Sequence, residues 1–183
     1  RPDEALRVVR PRLEQWPAEF PEIKTSLEAA SDTALAAFEG LRLVQNGNGD
    51  LFSVFKALRY APRAQEALYA LAPKLPPVSD FFVDPLLRND ADLAARLAAP
   101  ANANTGIFHE QNEPGSRGGF SLYVPEYYAP DRALPLVVAL HGGSGNGRGF
   151  LWSWLRDARS RGAILVAPTA TGSTWALMGE DTD

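Results

Sequence analysis

The sequence has no cysteine, which excludes disulfides and thiolate-bound metals. That absence is compatible with either redox compartment. No apolar run approaches the roughly 20 residues that a membrane-spanning helix needs, so no span is expected. Positive charge is not in excess. Lys and Arg number 18 against 22 Asp and Glu, a net charge of −4, which argues against a dedicated nucleic-acid binder with its basic footprint. Internal repeats and low-complexity tracts are also missing. Hydrophobic residues make up 45% and charged residues 22%, the balance of an ordinary globular protein. The 183 residues suffice for one domain or two small ones. The chain begins at Arg1 and its only methionine is Met178. The N-terminus is therefore expected to be processed or trimmed. No signal peptide is visible, which favours the cytoplasm and leaves a signal peptide already cleaved as the alternative.

Up to about residue 100 the pattern is helical. Asp3 and Glu4 suit the first turn of a helix carrying Leu6, Val9 and Leu13, which Pro17 and Pro21 interrupt. From Pro21, Ile23, Leu27, Ala30, Ala34, Phe38 and Leu41 recur at intervals of three and four and share one helical face. Asn46-Gly47 should end that helix. Asp50 can cap a helix over 51–59, Pro62 opens another through residue 71, and Asn89-Asp90 can cap a last one over 91–99. Pro73, Pro76 and Pro77 read as a rigid linker.

After Pro100 the period drops to two. Residues 107–110 and 120–124 read as strands joined through a stretch holding Pro114, Gly115, Gly118 and Gly119, which predicts a hairpin. Residues 136–140 form a near-continuous aliphatic run, the pattern of a strand buried on both faces. A helix over 150–161 follows, with Trp152, Leu155 and the stem of Arg159 on one side. Gly162 ends it, and 163–167 is a second buried strand closed by Pro168. Strand, helix and strand with short turns imply a parallel βαβ unit. The expected class is α/β, a hairpin plus βαβ, with an α-helical N-terminal domain at 1–100 and the strand-bearing part at 106–183.

The sharpest feature is the end of the third strand, Ala139-Leu140-His141-Gly142-Gly143-Ser144-Gly145-Asn146-Gly147. Glycines at a strand end let the backbone approach a ligand and aim N–H groups at it. Acyl-transfer enzymes build oxyanion holes this way. A phosphate-binding turn is the rival, and the residues oppose it. A Walker loop needs G-K-[ST], and no lysine is present here. The dinucleotide motif needs glycine at 148 or 150, which are Arg148 and Phe150.

Phe120-Ser121-Leu122-Tyr123-Val124-Pro125 and Leu140-His141-Gly142-Gly143, with the helix, the strand ending Ala167-Pro168 and a loop tryptophan, resemble the N-terminal half of an α/β-hydrolase sheet. More narrowly, 106–183 resembles bacterial carboxylesterase/phospholipase-like serine hydrolases and their polyhydroxybutyrate-depolymerase and feruloyl-esterase relatives. The resemblance implies hydrolysis of a small carboxylic ester without metal or organic cofactor. It implies an oxyanion-hole N–H at Gly143, conformational freedom at Gly142, loop bracing by His141 and a pocket position at Trp175. His141 is not the implied triad histidine, which follows the nucleophile. No G-x-S-x-G is present; Gly142-Gly143-Ser144-Gly145-Asn146 comes nearest. The nucleophile, acid and base are therefore expected on a complementary C-terminal segment or second chain, and residues 1–183 alone are expected to be inactive. An incomplete sheet would otherwise expose an apolar edge.

Ser144 reads as an accessory oxyanion donor or a helix cap rather than the nucleophile. His109 reads as a hairpin contact. Asn46-Gly47-Asn48-Gly49-Asp50 lacks calcium-loop spacing and reads as a turn with a cap. Tyr123, Tyr127 and Tyr128 read as packing, Trp152 as core, and Trp154 stays open. The acidic cluster Glu180, Asp181 and Asp183 reads as a solvated loop. The alternative function is a helical binding or homo-oligomerisation module fused to a non-catalytic, hydrolase-like domain.

Overall fold

Proline at the first helical position and glycine just past the last frame the longest element, α2 (Pro21–Gln45). Proline has no N–H to lose at that position. Gly47, at φ +77°, takes the left-handed conformation that follows the cap residue Asn46. The computed structural model describes residues 1–47 and 49–176. Asn48 of the glycine-rich turn and the acidic cluster at 180–183 lie outside the described residues. The chain is mixed α/β, with a helical part ahead of a four-stranded mixed sheet. It divides into two units, Arg1–Val78 and Ser79–Asp183.

The first unit is helical. α1 (Glu4–Val9) runs into a 3-10 turn, Arg10–Gln15, and α2 is followed by α3 (Leu51–Leu58) and α4 (Tyr60–Tyr69). Asp50 caps α3, its carboxylate accepting the Ser53 N–H at 3.0 Å. α2 packs on α3 and α4, and at Gly40 the approach is close enough that a Cβ would lie 2.8 Å from that of Ala57. Charge fastens the N-terminus. Buried Asp3 accepts Arg7 Nε and Arg42 Nη1, each at 2.7 Å. Arg10 grips Asp32 with Nε at 2.6 Å and Nη2 at 2.9 Å.

Pro76 and Pro77 do not extend a linker. They open α5 (Pro76–Phe81), because first-turn residues of a helix need no N–H partner. The unit division also falls at Val78, well before the expected boundary near residue 100. The cause is the attachment of residues 79–100 to the strand-bearing unit. The Phe82 ring lies 6.2 Å from Trp152, the Asp84 N–H donates to Ser160 Oγ at 2.8 Å, and Arg161 Nη2 meets Asp84 Oδ2 at 2.7 Å. α6 (Ala91–Ala98), capped by Asp90, sets the Arg96 guanidinium 4.9 Å from the Tyr127 ring centre.

The sheet has strands β1 (Gly106–Glu110), β2 (Phe120–Val124), β3 (Leu136–Val138) and β4 (Ile164–Pro168), in the order β1-β2-β4-β3. β1 and β2 form an antiparallel hairpin, β2 and β4 are antiparallel, and β3 and β4 are parallel across α7 (Gly147–Arg161). Register places Ile107, Tyr123, Leu165 and Val137 on one face. α7 packs on β2 and β4, and its Leu151, Trp152 and Leu155 are buried, as are Tyr123, Leu165 and Ala167 of the strands. Trp152 is thus core, whereas Trp154 is exposed.

β3 corrects the sequence reading. It is an edge strand, and Leu136, Val138 and Leu140 are 62%, 55% and 55% exposed, so it is not buried on both faces. Alternate positions, Val137 and Ala139, turn inward. Hydropathy marks both sets alike; only the strand order separates them. Among the described residues, no helix is long and apolar enough to cross a membrane.

One buried ion pair anchors α7 in this unit. Arg159 Nε donates to Glu126 Oε1 at 2.9 Å, and its two Nη atoms donate to Ser79 O and Oγ, each at 2.9 Å. The Tyr123 hydroxyl donates to the other oxygen of Glu126 at 2.8 Å.

Candidate functional site

β3 and β4 are parallel and end at the same edge of the sheet, which is where ligands bind in open α/β sheets. The loops leaving them, 141–146 and 169–176, are tied together by hydrogen bonds that include the following. Ser144 N–H donates to Ser173 O at 2.6 Å, Ala170 N–H to His141 Nε2 at 3.1 Å, and Trp175 Nε1 to His141 O at 2.8 Å.

His141 is buried at the centre of this arrangement. Because Nε2 accepts from the Ala170 N–H, the ring proton of the neutral imidazole sits on Nδ1. Nδ1 then donates to Gly142 O at 2.7 Å. The same oxygen accepts the Gly145 N–H at 3.0 Å, closing a turn over 142–145. Both ring nitrogens are engaged with backbone, so His141 fixes the loop and has no nitrogen left to relay a proton. The Trp175 ring centre lies 4.9 Å from the imidazole. That half-buried indole is a strut on His141.

The turn's left-handed residue is Ser144, at φ +58°, not Gly142. Gly142 and Gly143 are exposed, neither has a positive φ, and a Cβ on either would meet nothing within 4 Å. The conformational freedom attributed to Gly142 is thus unused in this fold. Among the described residues, the N–H groups of Gly142 and Gly143 meet no acceptor. Ser144 does not cap the helix either. Asn146 does, its side chain accepting the Gly149 N–H at 2.8 Å. α7 consequently starts at Gly147, three residues before the expected 150.

Gly147 shows a different constraint. A Cβ there would lie 2.0 Å from the carbonyl oxygen of Ala167, so only glycine lets α7 start against the end of β4. Its N–H donates to Thr169 Oγ1 at 2.7 Å. Thr169 Oγ1 donates to Asn112 Oδ1 at 3.0 Å, and Asn112 Nδ2 donates to Ser121 Oγ at 3.1 Å. Ser121 Oγ lies 2.7 Å from His109 Nδ1. Asn112, Ser121 and Thr169 are buried, so this is a polar thread from the hairpin to the start of α7. Sequence reading missed it. Its members are single polar residues in a turn, a strand and a strand end, and no spacing links them.

Comparison with protein-family models, curated proteins and solved structures returned no match. The site therefore stands on its geometry. The exposed residues Gly142 and Gly143, whose N–H groups meet no acceptor among the described residues, lie on a loop bonded to the 169–176 loop through His141 and Trp175 and followed by a helix start bonded to Thr169. Such an arrangement can hold an oxyanion or another small acceptor without reorganising. Among the described residues, no group of three or more His, Asp or Glu side chains gathers in a metal-binding cluster.

Proposed function

We propose that the loops after β3 and β4 form the oxyanion-binding half of a serine hydrolase acting on small carboxylic esters, in an α/β-hydrolase-type sheet completed by another segment or chain. The observation that supports this reading is the pair of exposed residues Gly142 and Gly143, whose N–H groups meet no acceptor among the described residues, at a point where glycine is required by neither φ nor packing. A loop that presents donors to open space is suited to a charge that develops during reaction. In this reading the serine attacks the acyl carbonyl, its proton passes to a histidine other than His141, and the oxyanion accepts from Gly143. The exposed edge and apolar outer face of β3 support a completing strand beside it.

A fluorophosphonate reporter, which reacts with activated serines, tests this reading on the purified protein with everything that accompanies it. Hydrolysis of p-nitrophenyl butyrate together with label on a serine outside residues 1–183, within G-x-S-x-G, is the expected result. Label on Ser144, or hydrolysis without any labelled serine, overturns it.

The helical unit favours a second reading in one respect. Phe52, Phe55 and Leu58 of α3 are exposed at intervals of three, an apolar stripe suited to a binding or self-association role. A Phe52→Ser/Phe55→Ser double variant should lower the assembly state measured by light scattering. An unchanged mass removes the stripe from any such role.

A further inference from the structure

The β1–β2 loop brings a cation to the glycine turn. Arg117 Nη1 donates to Gly145 O at 2.6 Å, and the Gly145 N–H in turn bonds Gly142 O at 3.0 Å. The guanidinium is thus one tight turn away from the exposed N–H groups of Gly142 and Gly143. Its backbone support is firm on the C-terminal side. The Gly118 N–H donates to Ala170 O at 3.3 Å and Gly119 O accepts the Thr169 N–H at 2.9 Å, so the loop is bonded to the same 169–176 segment that carries Trp175. Arg117 is exposed, and a guanidinium has five N–H donors, of which one is committed among the described residues. Among the described residues, no carboxylate lies within ion-pair distance of it. Neighbouring Arg148, by contrast, pairs with Glu113 at 3.5 Å. Residues 139–150 carry no acidic side chain, so nothing on the turn itself balances the charge of Arg117.

We propose that Arg117 is a specificity-determining residue that makes the loop prefer esters bearing a second, anionic group, a carboxylate. The ester carbonyl sits on the Gly142 and Gly143 N–H groups while the carboxylate accepts from the Arg117 N–H groups that meet no acceptor among the described residues. This rests on the reading of the loop as an ester site. A carboxylate on guanidinium forms a charge-assisted bond, roughly twice as strong as its neutral counterpart. At an exposed position that translates into a preference of about two- to fivefold.

The test is a binding measurement that needs no nucleophile. The amide resonances of Gly142 and Gly143 in the full chain are followed during titration with monomethyl succinate, an anion, and with neutral dimethyl succinate. The expected result is an apparent Kd about two- to fivefold lower for the monomethyl ester. That preference should vanish in Arg117→Ala, survive in part in Arg117→Lys, and weaken as salt rises. Equal affinities for the two esters, or a preference that persists in a folded Arg117→Ala, overturn the role of Arg117 and leave the ester site standing. Binding of neither ester overturns both.

Discussion

Trp175 lies face-near to His141, 4.9 Å between ring centres, while its Nε1 hydrogen bonds the backbone oxygen of the same residue at 2.8 Å. Each residue fixes the other. The indole holds the backbone of His141, and His141 holds the turn and the Ala170 N–H. The two loops are thus joined through one side chain from each, and the turn that carries the Gly142 and Gly143 N–H groups is bonded to His141.

Trp175→Phe keeps most of the ring contact and removes the hydrogen bond. The expected cost is about 0.5–1.5 kcal/mol, the net worth of one such bond. His141→Phe is worse, because it leaves the Ala170 N–H without its acceptor in a buried position, at about 1–3 kcal/mol. Urea denaturation followed by near-ultraviolet circular dichroism measures both. A His141→Phe variant as stable as the parent would show that the ring is not the keystone of the loop.

Gly147→Ala puts a methyl group 2.0 Å from a backbone oxygen, where no side chain can give way. The strand end or the helix start must shift, and the Gly147–Thr169–Asn112 thread shifts with it. A loss of about 3 kcal/mol or more is expected, in the range reserved for strain and broken buried networks. Thermal unfolding of the purified variant checks this, and a change under about 0.5 kcal/mol would contradict the close approach.

Much of this architecture is legible in sequence, and the reason is local. Asp50 and Asp90 cap the helices they precede, and Gly162 ends α7 at φ +72°, because caps act on groups two or three residues away. The hairpin and the strand-helix-strand order follow from periodicity together with the glycines and prolines that punctuate it. Failures occur where a decision is made over distance. Whether Leu136, Val138 and Leu140 are covered depends on which strand lies at the edge of the sheet, and an aliphatic run does not encode that. Asn112, Ser121 and Thr169 are ordinary polar residues until the fold buries them together. Ser144 and Asn146 are both competent caps, and only the backbone path selects Asn146.

Arg159 and Glu126 are buried together, so each depends on the other. Glu126→Ala leaves a guanidinium without its counter-ion and should cost about 3–5 kcal/mol. Pairing that change with Arg159→Met removes the orphaned charge and should recover much of the loss. Guanidinium denaturation of the single and double variants measures the coupling. Additive losses would show that the pair acts as two independent contacts.

Asp3 carries a pH signature. Hydrogen bonds from Arg7 and then Arg42 hold its carboxyl at about 2, below the ordinary 3.8. A folded value lower than the unfolded one stabilises the native state above pH ~4, and that stability is lost as pH falls from about 4 to about 2. Asp3→Asn should therefore be less stable than the parent at pH 6, with the gap narrowing across that window. Urea midpoints for both proteins at pH 6, 4 and 2.5 test the sign. A gap that stays constant with pH would mean that the ionised Asp3 does not stabilise the fold.

Gly143 separates the donor from the space around it. Gly143→Pro removes the N–H, and Gly143→Ala retains it while placing a Cβ where nothing lies within 4 Å. If the proposed ester site is correct, the proline variant, assayed with its completing segment or chain, should lose about 10²–10³ in turnover, the usual effect of deleting one oxyanion donor. The alanine variant should stay within about threefold, since an exposed substitution of this kind changes energies by ~0.5 kcal/mol. Steady-state hydrolysis of p-nitrophenyl butyrate by each, alongside a melting curve showing that both fold, distinguishes donor loss from disruption. A folded proline variant with parental turnover would remove Gly143 from the reaction. Equal losses in both variants would instead mean that the open space, and not the N–H, is what the substrate requires.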